Sequence, residues 1–336
     1  MSEILIVGGA GYIGSHMGKY LHGKGLNPVV LDNLSYGHKE AVQWGPFYEG
    51  ELDDENLLAG IFKKHDIKAV MHFAAFCYVG ESVTDPLKYY QNNVASTLGL
   101  LSSMLGNGVD KLIFSSTCAT YGEPNSLPMS ESHSQHPINP YGRSKLMMEN
   151  ILDDLDPAYG LKSVCLRYFN AAGADPEGEL GEDHDPETHL IPLVLRTALG
   201  LQGELTVFGN DYPTEDGTCI RDYIHITDLA QAHYLALLHL LDGGESKKYN
   251  LGNGSGYSIL DVINTARRIT GRDINYSFAD RRDGDPAVLV GSAEKAAHEL
   301  GWKPEFNSLE TILETAWNWH SQHPDGYDGG SSTSKS

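Results

Sequence analysis

Short apolar runs alternate with helical patterns along the first 168 residues. Ile4 to Val7 is a continuous apolar run ending at Gly8, the pattern of a strand buried on both faces. Tyr12 to Leu21 follows as a helix, stopped near Gly23 and Gly25. Further strands are predicted at Val29 to Leu31, closing on Asp32, at Ala69 to Met71, at Leu112 to Phe114 and at Val164 to Leu166. Strands alternating with helices imply right-handed βαβ units. The predicted fold is therefore α/β, a Rossmann-type doubly wound parallel sheet, with a smaller C-terminal α+β lobe. After Pro86, Leu87, Tyr90, Val94, Leu98, Leu101 and Leu105 recur at steps of three and four and predict a helix with one apolar face. A second helix starts near Tyr141 and carries Leu146, Met147, Ile151, Leu152 and Leu155. Its apolar arc is wide enough for one stripe to face either the monomer's own core or a partner subunit.

The texture changes after residue 168. Breaks such as Asp175-Pro176, Glu177-Gly178 and Asp185-Pro186 mark a loop over 170–187. Helical patterns return at 189–200, 227–241, 258–270, 292–300 and 308–320, with no internal repeat. We expect a cofactor domain at 1–168 and a substrate lobe mainly at 169–323, with a segment such as 222–241 returning to the first domain. The polar stretch 324–336 reads as a disordered tail.

Composition narrows the classes. The chain has 336 residues, 40% of them hydrophobic, which suits two apposed units. Its net charge of −21 makes nucleic acid and anionic lipid poor partners, and an anionic substrate would need local cationic donors. No run of ~18 apolar residues suggests a membrane span, and the N-terminus lacks the features of a secretory signal. Cys77, Cys118, Cys165 and Cys219 show no metal-site spacing, so no metal is expected; free thiols fit a cytoplasmic location.

Three signals carry chemistry. Gly8, Gly11 and Gly14 are spaced GxxGxxG between a strand and a helix, where the backbone can approach a pyrophosphate at a helix N-terminus. Asp32 ends the second strand, placed for the hydroxyls of an adenosine ribose. With no Arg at Asn33 or Leu34 to meet a 2′-phosphate, NAD is favoured over NADP. Tyr141 and Lys145 sit one helical turn apart, so the ammonium and a cationic nicotinamide favour the phenolate and make Tyr141 a base near neutral pH. Ser115-Ser116-Thr117 closes the fourth strand and offers a hydroxyl to the same substrate oxygen.

Together these motifs resemble the extended short-chain dehydrogenases/reductases. The stretches HFAAFCYVGESV (72–83), YYQNNV (89–94), FSSTCATYG (114–122), NPYGRSK (139–145), LRYFNAAGA (166–174), FGNDYPTEDGTCIRDYIH (208–225) and RRDGDPAVLV (281–290) narrow the resemblance to the UDP-glucose 4-epimerase family, over about residues 3–320. The resemblance implies interconversion of UDP-glucose and UDP-galactose, and the N-acetylated pair more weakly, by transient oxidation at C4 with tightly bound NAD. It also implies a homodimer. Cofactor contacts are implied for Tyr12, Ile13, Asp32, Asn33, Leu34, Ser35, Tyr36 and Gly37, for Glu51 and Leu52, for Phe73, Ala74, Ala75 and Cys77, and for Asn93, Lys145 and Phe169. Catalysis falls to Tyr141, Lys145 and Thr117. Asn170, His189, Leu190, Phe208, Arg221, Arg282, Asp285 and Leu289 match the nucleotide-sugar pocket, with Leu289 setting the volume around C2 of the sugar. Two positions depart from the family. Cys77 stands where some members carry Lys, and Glu51 where an Asp often meets the adenine amine. A dehydratase would need proton shuttles after Thr117, where Cys118 and Ala119 stand. Another epimerase or a decarboxylase of the family stays open, as does a non-catalytic NAD-sensing regulator.

Overall fold

The computed structural model describes residues 2–282 and 284–327. Its centre is a seven-stranded sheet in the order Lys247–Leu251, Lys162–Tyr168, Lys111–Thr117, Ile67–His72, Glu3–Val7, Asn27–Asp32, Phe47–Glu49. Every neighbouring pair is parallel. The strand order reverses between Glu3–Val7 and Ile67–His72, which opens a crevice beyond their C-terminal ends. Successive residues of the first strand face opposite sides, and all four from Ile4 to Val7 are fully buried. Ile4 and Ile6 pack with Met17, Leu21 and Met71 on one face, and Leu5 and Val7 with Leu58, Leu100 and Met148 on the other.

Two sheet strands escaped the hydrophobic pattern. Phe47–Glu49 has three residues, none fully buried, and Lys247–Leu251 opens with two lysines. The second belongs to a return of the chain. Leu229 and Leu237 of helix Ile226–Leu241 pack in the core with Ile4 and Ile6, and the next strand pairs with Lys162–Tyr168. The return therefore extends to residue 251, past the expected 241. The lobe has its own core, in which Val194, Leu195, Val262, Ile263, Ile312 and Leu313 meet from helices Leu190–Leu199, Ile259–Thr270 and Leu309–Gln322.

The stretch after Pro86 departs from the expected single helix. An α-helix, Pro86–Tyr90, passes into a π-helical stretch, Gln91–Ser96, and then into α-helix Thr97–Gly106. The wide turns shift the helical phase and split the expected apolar stripe: Leu101 is buried and Val94 and Leu105 pack on the sheet core, while Leu87 and Leu98 face outward. Leu87 is 63% and Leu98 44% exposed, while Tyr89, Asn93 and Thr97 are buried instead. The polar pair is satisfied inside: Asn93 binds Phe76, and the Thr97 hydroxyl donates to Asn93 O. On helix Pro140–Tyr159 the core takes Met148 and Leu152, while Met147 faces outward. Within the expected tail, Tyr327 is docked: its hydroxyl accepts from Gly181 N at 3.1 Å, and its ring lies against Trp319. The remainder of that segment, 328–336, lies outside the described residues. None of the described helices is long and apolar enough to cross a membrane.

Candidate active site

Gly8, Gly11 and Gly14 occupy the turn between Glu3–Val7 and helix Tyr12–Gly23, each for a different reason. Gly8 has φ +76°, and a Cβ there would lie 2.4 Å from Ala74 N. A Cβ on Gly14 would lie 2.1 Å from Gly8 O, so only glycine lets the helix sit this close to the turn. At Gly11 a Cβ would meet nothing nearer than 3.5 Å. The protein itself does not demand glycine at 11, and that side of the turn is open to the close approach of a ligand. No side chain caps this helix and its first turn holds no acid, so the amides of Tyr12 and Ile13 suit a diphosphate. Ile13 packs on the sheet core, and the Tyr12 hydroxyl donates to Gly173 O at 2.7 Å, tying the turn to the lobe.

Asp32 accepts from Ala10 N at 2.9 Å and Leu34 N at 2.8 Å. Burial raises its carboxyl, and these backbone donors counter the rise. The carboxylate stands at the end of the second strand, where ribose hydroxyls could donate to it. Leu34 holds φ +59°, the only non-glycine residue with positive φ among the described residues, in the turn that closes over Asp32. Ser35 N donates to Asn33 Oδ1, the Tyr36 ring meets Phe76 and Tyr78 edge-on, and Gly37 packs against the Ala10 backbone. Phe73, Ala74 and Ala75 cross above Gly8, with Phe73 N donating to Val7 O. A cradle that a Cβ would fill and an acid at the end of the second strand fit NAD.

Three further residues expected at the cofactor make defined contacts within the protein. The Glu51 carboxylate receives the Asn33 amide at 3.1 and 2.9 Å, a reach its extra methylene permits. Leu52 is a core residue, buried with Leu5 and Val7. Asn93 accepts from Phe76 N and Asn92 Nδ2 and donates to Phe76 O and Ser144 Oγ, which uses its full hydrogen-bonding capacity. It is a clamp on the 73–77 loop.

The reactive group is assembled where strand Lys111–Thr117 ends beside helix Pro140–Tyr159. Asn139 caps that helix by accepting from Gly142 N at 2.8 Å. Lys145 is 2% exposed and donates to Ser115 O at 2.8 Å, and burial lowers its ammonium to about 8, so it keeps its charge at neutral pH. Tyr141 differs from expectation. Burial pushes its phenol well above the ordinary ~10, and only the Thr117 hydroxyl among its main neighbours favours the ionised form. In the protein alone desolvation outweighs the ammonium one turn away. Cys77 is exposed and lies near both Tyr141 and Lys145.

The lobe supplies the other wall. Arg221, its side chain 11% exposed, pairs with Asp285 and donates to Ile220 O and Pro286 O. Arg282 is exposed, its guanidinium 4.0 Å from the centre of the Phe208 ring. Asn170 donates to Asp222 O at 2.8 Å. Phe169 packs with Tyr121 and Met129, and Leu289 and Cys118, the residue after Thr117, both close on that cluster. Leu190 opens helix Leu190–Leu199 and packs on the lobe core. His189 Nδ1 lies 3.0 Å from Glu182 and 2.9 Å from Glu187.

One residue central to this wall was missed. Asp222 is fully buried and accepts from Asn253 N at 2.8 Å, Gly291 N at 3.2 Å and Gly254 N at 3.3 Å. It gathers the 252–254 and 289–291 loops behind Arg221. Burial pushes its carboxyl up to about 7. Its signal was its place between Arg221 and Tyr223 in the most distinctive stretch, 208–225.

Residues 4–252 match the NAD dependent epimerase/dehydratase family, and the chain belongs to that family. Within it, the chain is 55% identical to a UDP-glucose 4-epimerase of Halalkalibacterium halodurans, over 96% of this chain and 97% of the relative. A solved structure of the Brucella ovis UDP-glucose 4-epimerase in complex with NAD is 52% identical, covers 94% of this chain and 98% of its own, and superposes with a TM-score of 0.93. The Bifidobacterium longum enzyme, solved with NAD+ and UDP, is 39% identical, with a TM-score of 0.92 over 97% of this chain and all of its own.

Proposed function

We propose that the chain interconverts UDP-glucose and UDP-galactose by transient oxidation at C4, with NAD held in the cleft above Gly8. The observation that carries this reading is the convergence of Thr117, Tyr141 and Lys145 beside that cleft. A C4–H bond is not acidic, so inversion there needs oxidation and reduction. NAD, when bound, supplies a hydride acceptor and a positive charge beside the phenol. Tyr141 takes the 4-hydroxyl proton and later returns it, while Thr117 holds the oxygen and steadies the phenolate. Lys145 keeps a buried positive charge on the same helix face. Arg221 and Arg282 provide the local cations that a diphosphate needs on a chain of net charge −21. The cationic contacts fall on the nucleotide's diphosphate, which would leave the sugar free to turn within the pocket.

The dehydratase reading is weakened by Cys118, whose thiol burial pushes up to about 12, too weak an acid to shuttle protons. A non-catalytic NAD sensor has no use for Thr117 facing Tyr141. The free thiols of all four cysteines fit a reducing cytoplasm. Val83, Leu87, Leu98 and Met147 lie exposed on helices that pack together, and we take this patch as the two-fold contact of a homodimer.

The test is direct. Purified protein given UDP-galactose yields UDP-glucose, and Tyr141→Phe lowers kcat by ~10²–10⁴ while bound NAD is retained. Turnover within tenfold of wild type would remove Tyr141 from the base role.

A further inference from the structure

We propose that Glu182, His184, Glu187 and His189 form a closed site for one divalent transition-metal ion, Zn2+ being the probe of choice, which pins the 181–189 loop between the two halves of the molecule. The run EDHDPETH resembles no spaced ligand pattern in sequence, because four donors within eight residues cannot converge along an extended chain or one helix face. The loop fold brings them together: one ligand atom from each lies within 4.8 Å of the others.

His189 Nδ1 lies at hydrogen-bond distance from both carboxylates, 2.9 Å from Glu187 and 3.0 Å from Glu182, so it is His184 that an ion-pair network leaves unserved and an ion would complete. The Glu182 and Glu187 side chains are 4% and 6% exposed, and His184 14%. His184 Nδ1 is buried without any hydrogen-bond partner. It lies 3.4 Å from Glu182 Oε1 and 3.6 Å from Glu187 Oε2, too far for the short contact an imidazolium makes with a carboxylate. His189 Nδ1 lies 3.0 Å from the same Glu182 oxygen. Zn–N and Zn–O bonds of ~2.0–2.2 Å in a tetrahedron separate neighbouring donors by roughly 3.4 Å. The three observed edges bracket that value. Two neutral imidazoles and two carboxylates also balance a charge of +2 and leave no open position, as in a structural site. The Glu187 carboxylate is held by its own loop: Oε1 accepts from the backbone of Thr188 and of His189, both at 2.7 Å, and lies 2.9 Å from His189 Nδ1, which leaves Oε2 for the ion.

The loop is a junction. His38 bonds Asp183 O and the Tyr78 hydroxyl bonds Pro186 O, both from the cofactor domain, while Tyr327 N donates to Asp183 from the C-terminal segment. The His184 ring sits edge-on to Tyr12, the first residue of the nucleotide-binding helix. An ion there sets the loop that joins the cofactor cleft to helix Leu190–Leu199.

The full chain is stripped with a chelator, dialysed and titrated with Zn2+. The expected result is one equivalent per chain by atomic emission, a rise in Tm, and, with Co2+ instead, the intense visible bands of a four-coordinate site. His184→Gln and Glu187→Gln lower the affinity by at least the ~10–100-fold that loss of an outer-shell partner costs. Substoichiometric uptake by the wild type, or weak octahedral Co2+ bands, would overturn the site. So would equal uptake by the folded variants, which would place the ion on other histidines among the 15. If a variant fails to fold, the wild-type Co2+ spectrum decides alone.

Discussion

Gly14→Ala and Gly18→Ala place the same methyl group on the same helix, four residues apart, and should act in opposite directions. Alanine is favoured over glycine in a helix interior by ~0.8–1.0 kcal/mol. At Gly18 that gain is free, because the new Cβ meets only Ile6 Cδ1, at 3.8 Å. At Gly14 it meets Gly8 O at 2.1 Å and Gly9 Cα at 2.7 Å, both backbone atoms that no rotamer change can move. Restoring an ordinary contact requires the helix and the turn to part by about 1 Å. Overpacking of this kind costs ~1–3 kcal/mol, and it pulls on Met17 and Leu21, both fully buried on the same helix. The two variants should therefore differ by roughly 2–4 kcal/mol in urea unfolding, with wild type between them. The same 1 Å displaces the amides that face the diphosphate, and a misplacement of that size costs ~10²-fold in turnover. NAD titration and kcat/KM on the three proteins check this. A Gly14→Ala protein that binds NAD and unfolds like Gly18→Ala would refute the close-packing argument.

Other outcomes follow from the same geometry. Asp222 rises to about 7 in the fold, against about 3.8 when exposed, so the native state keeps a proton that the unfolded chain has released. Its contribution therefore falls as pH climbs through that window and is flat outside it. Asp222→Asn removes this slope, and from pH 4.5 to 7.5 the wild type should lose roughly 3 kcal/mol relative to the variant in paired urea titrations. A constant difference between the two pH values would contradict the buried carboxyl. At Leu289, half-buried beside Cys118 and Phe169, Tyr should abolish turnover of N-acetylated sugars and spare the plain pair, while Cys should raise it. Pocket bulk is worth ~1–3 kcal/mol, so the kcat/KM ratio between the pairs should move by 10–200-fold, and an unmoved ratio removes Leu289 as the gate. Leu98→Glu puts a charge on the exposed helix face and should give a monomer in sedimentation at micromolar concentration; an unchanged dimer would place the interface elsewhere.

What the sequence determined by itself was whatever depends on near neighbours in the chain. The five central strands were legible because burial on both faces leaves nothing but apolar residues, as in Ile4 to Val7. The glycine turn, the acid at Asp32 and the Tyr141–Lys145 pair were legible because their spacing is set by one turn or one helical step. Tertiary structure decided what depends on distant partners. Phe47–Glu49 and Lys247–Leu251 are strands because a parallel neighbour supplies their hydrogen bonds, not because of any period of their own. The stripe from Leu87 to Leu105 is split between the core and the surface because a π-helical stretch changes the phase, and what accompanies that stretch is the bonding of Asn93 to a loop 17 residues away. The hydrogen-bond partners of Glu51 and Asn93 and the core packing of Leu52 likewise depend on distant residues. The ionisation of Tyr141 also lay beyond reach. Spacing reveals the nearby ammonium, but the larger effect is desolvation, which depends on everything that packs around the phenol.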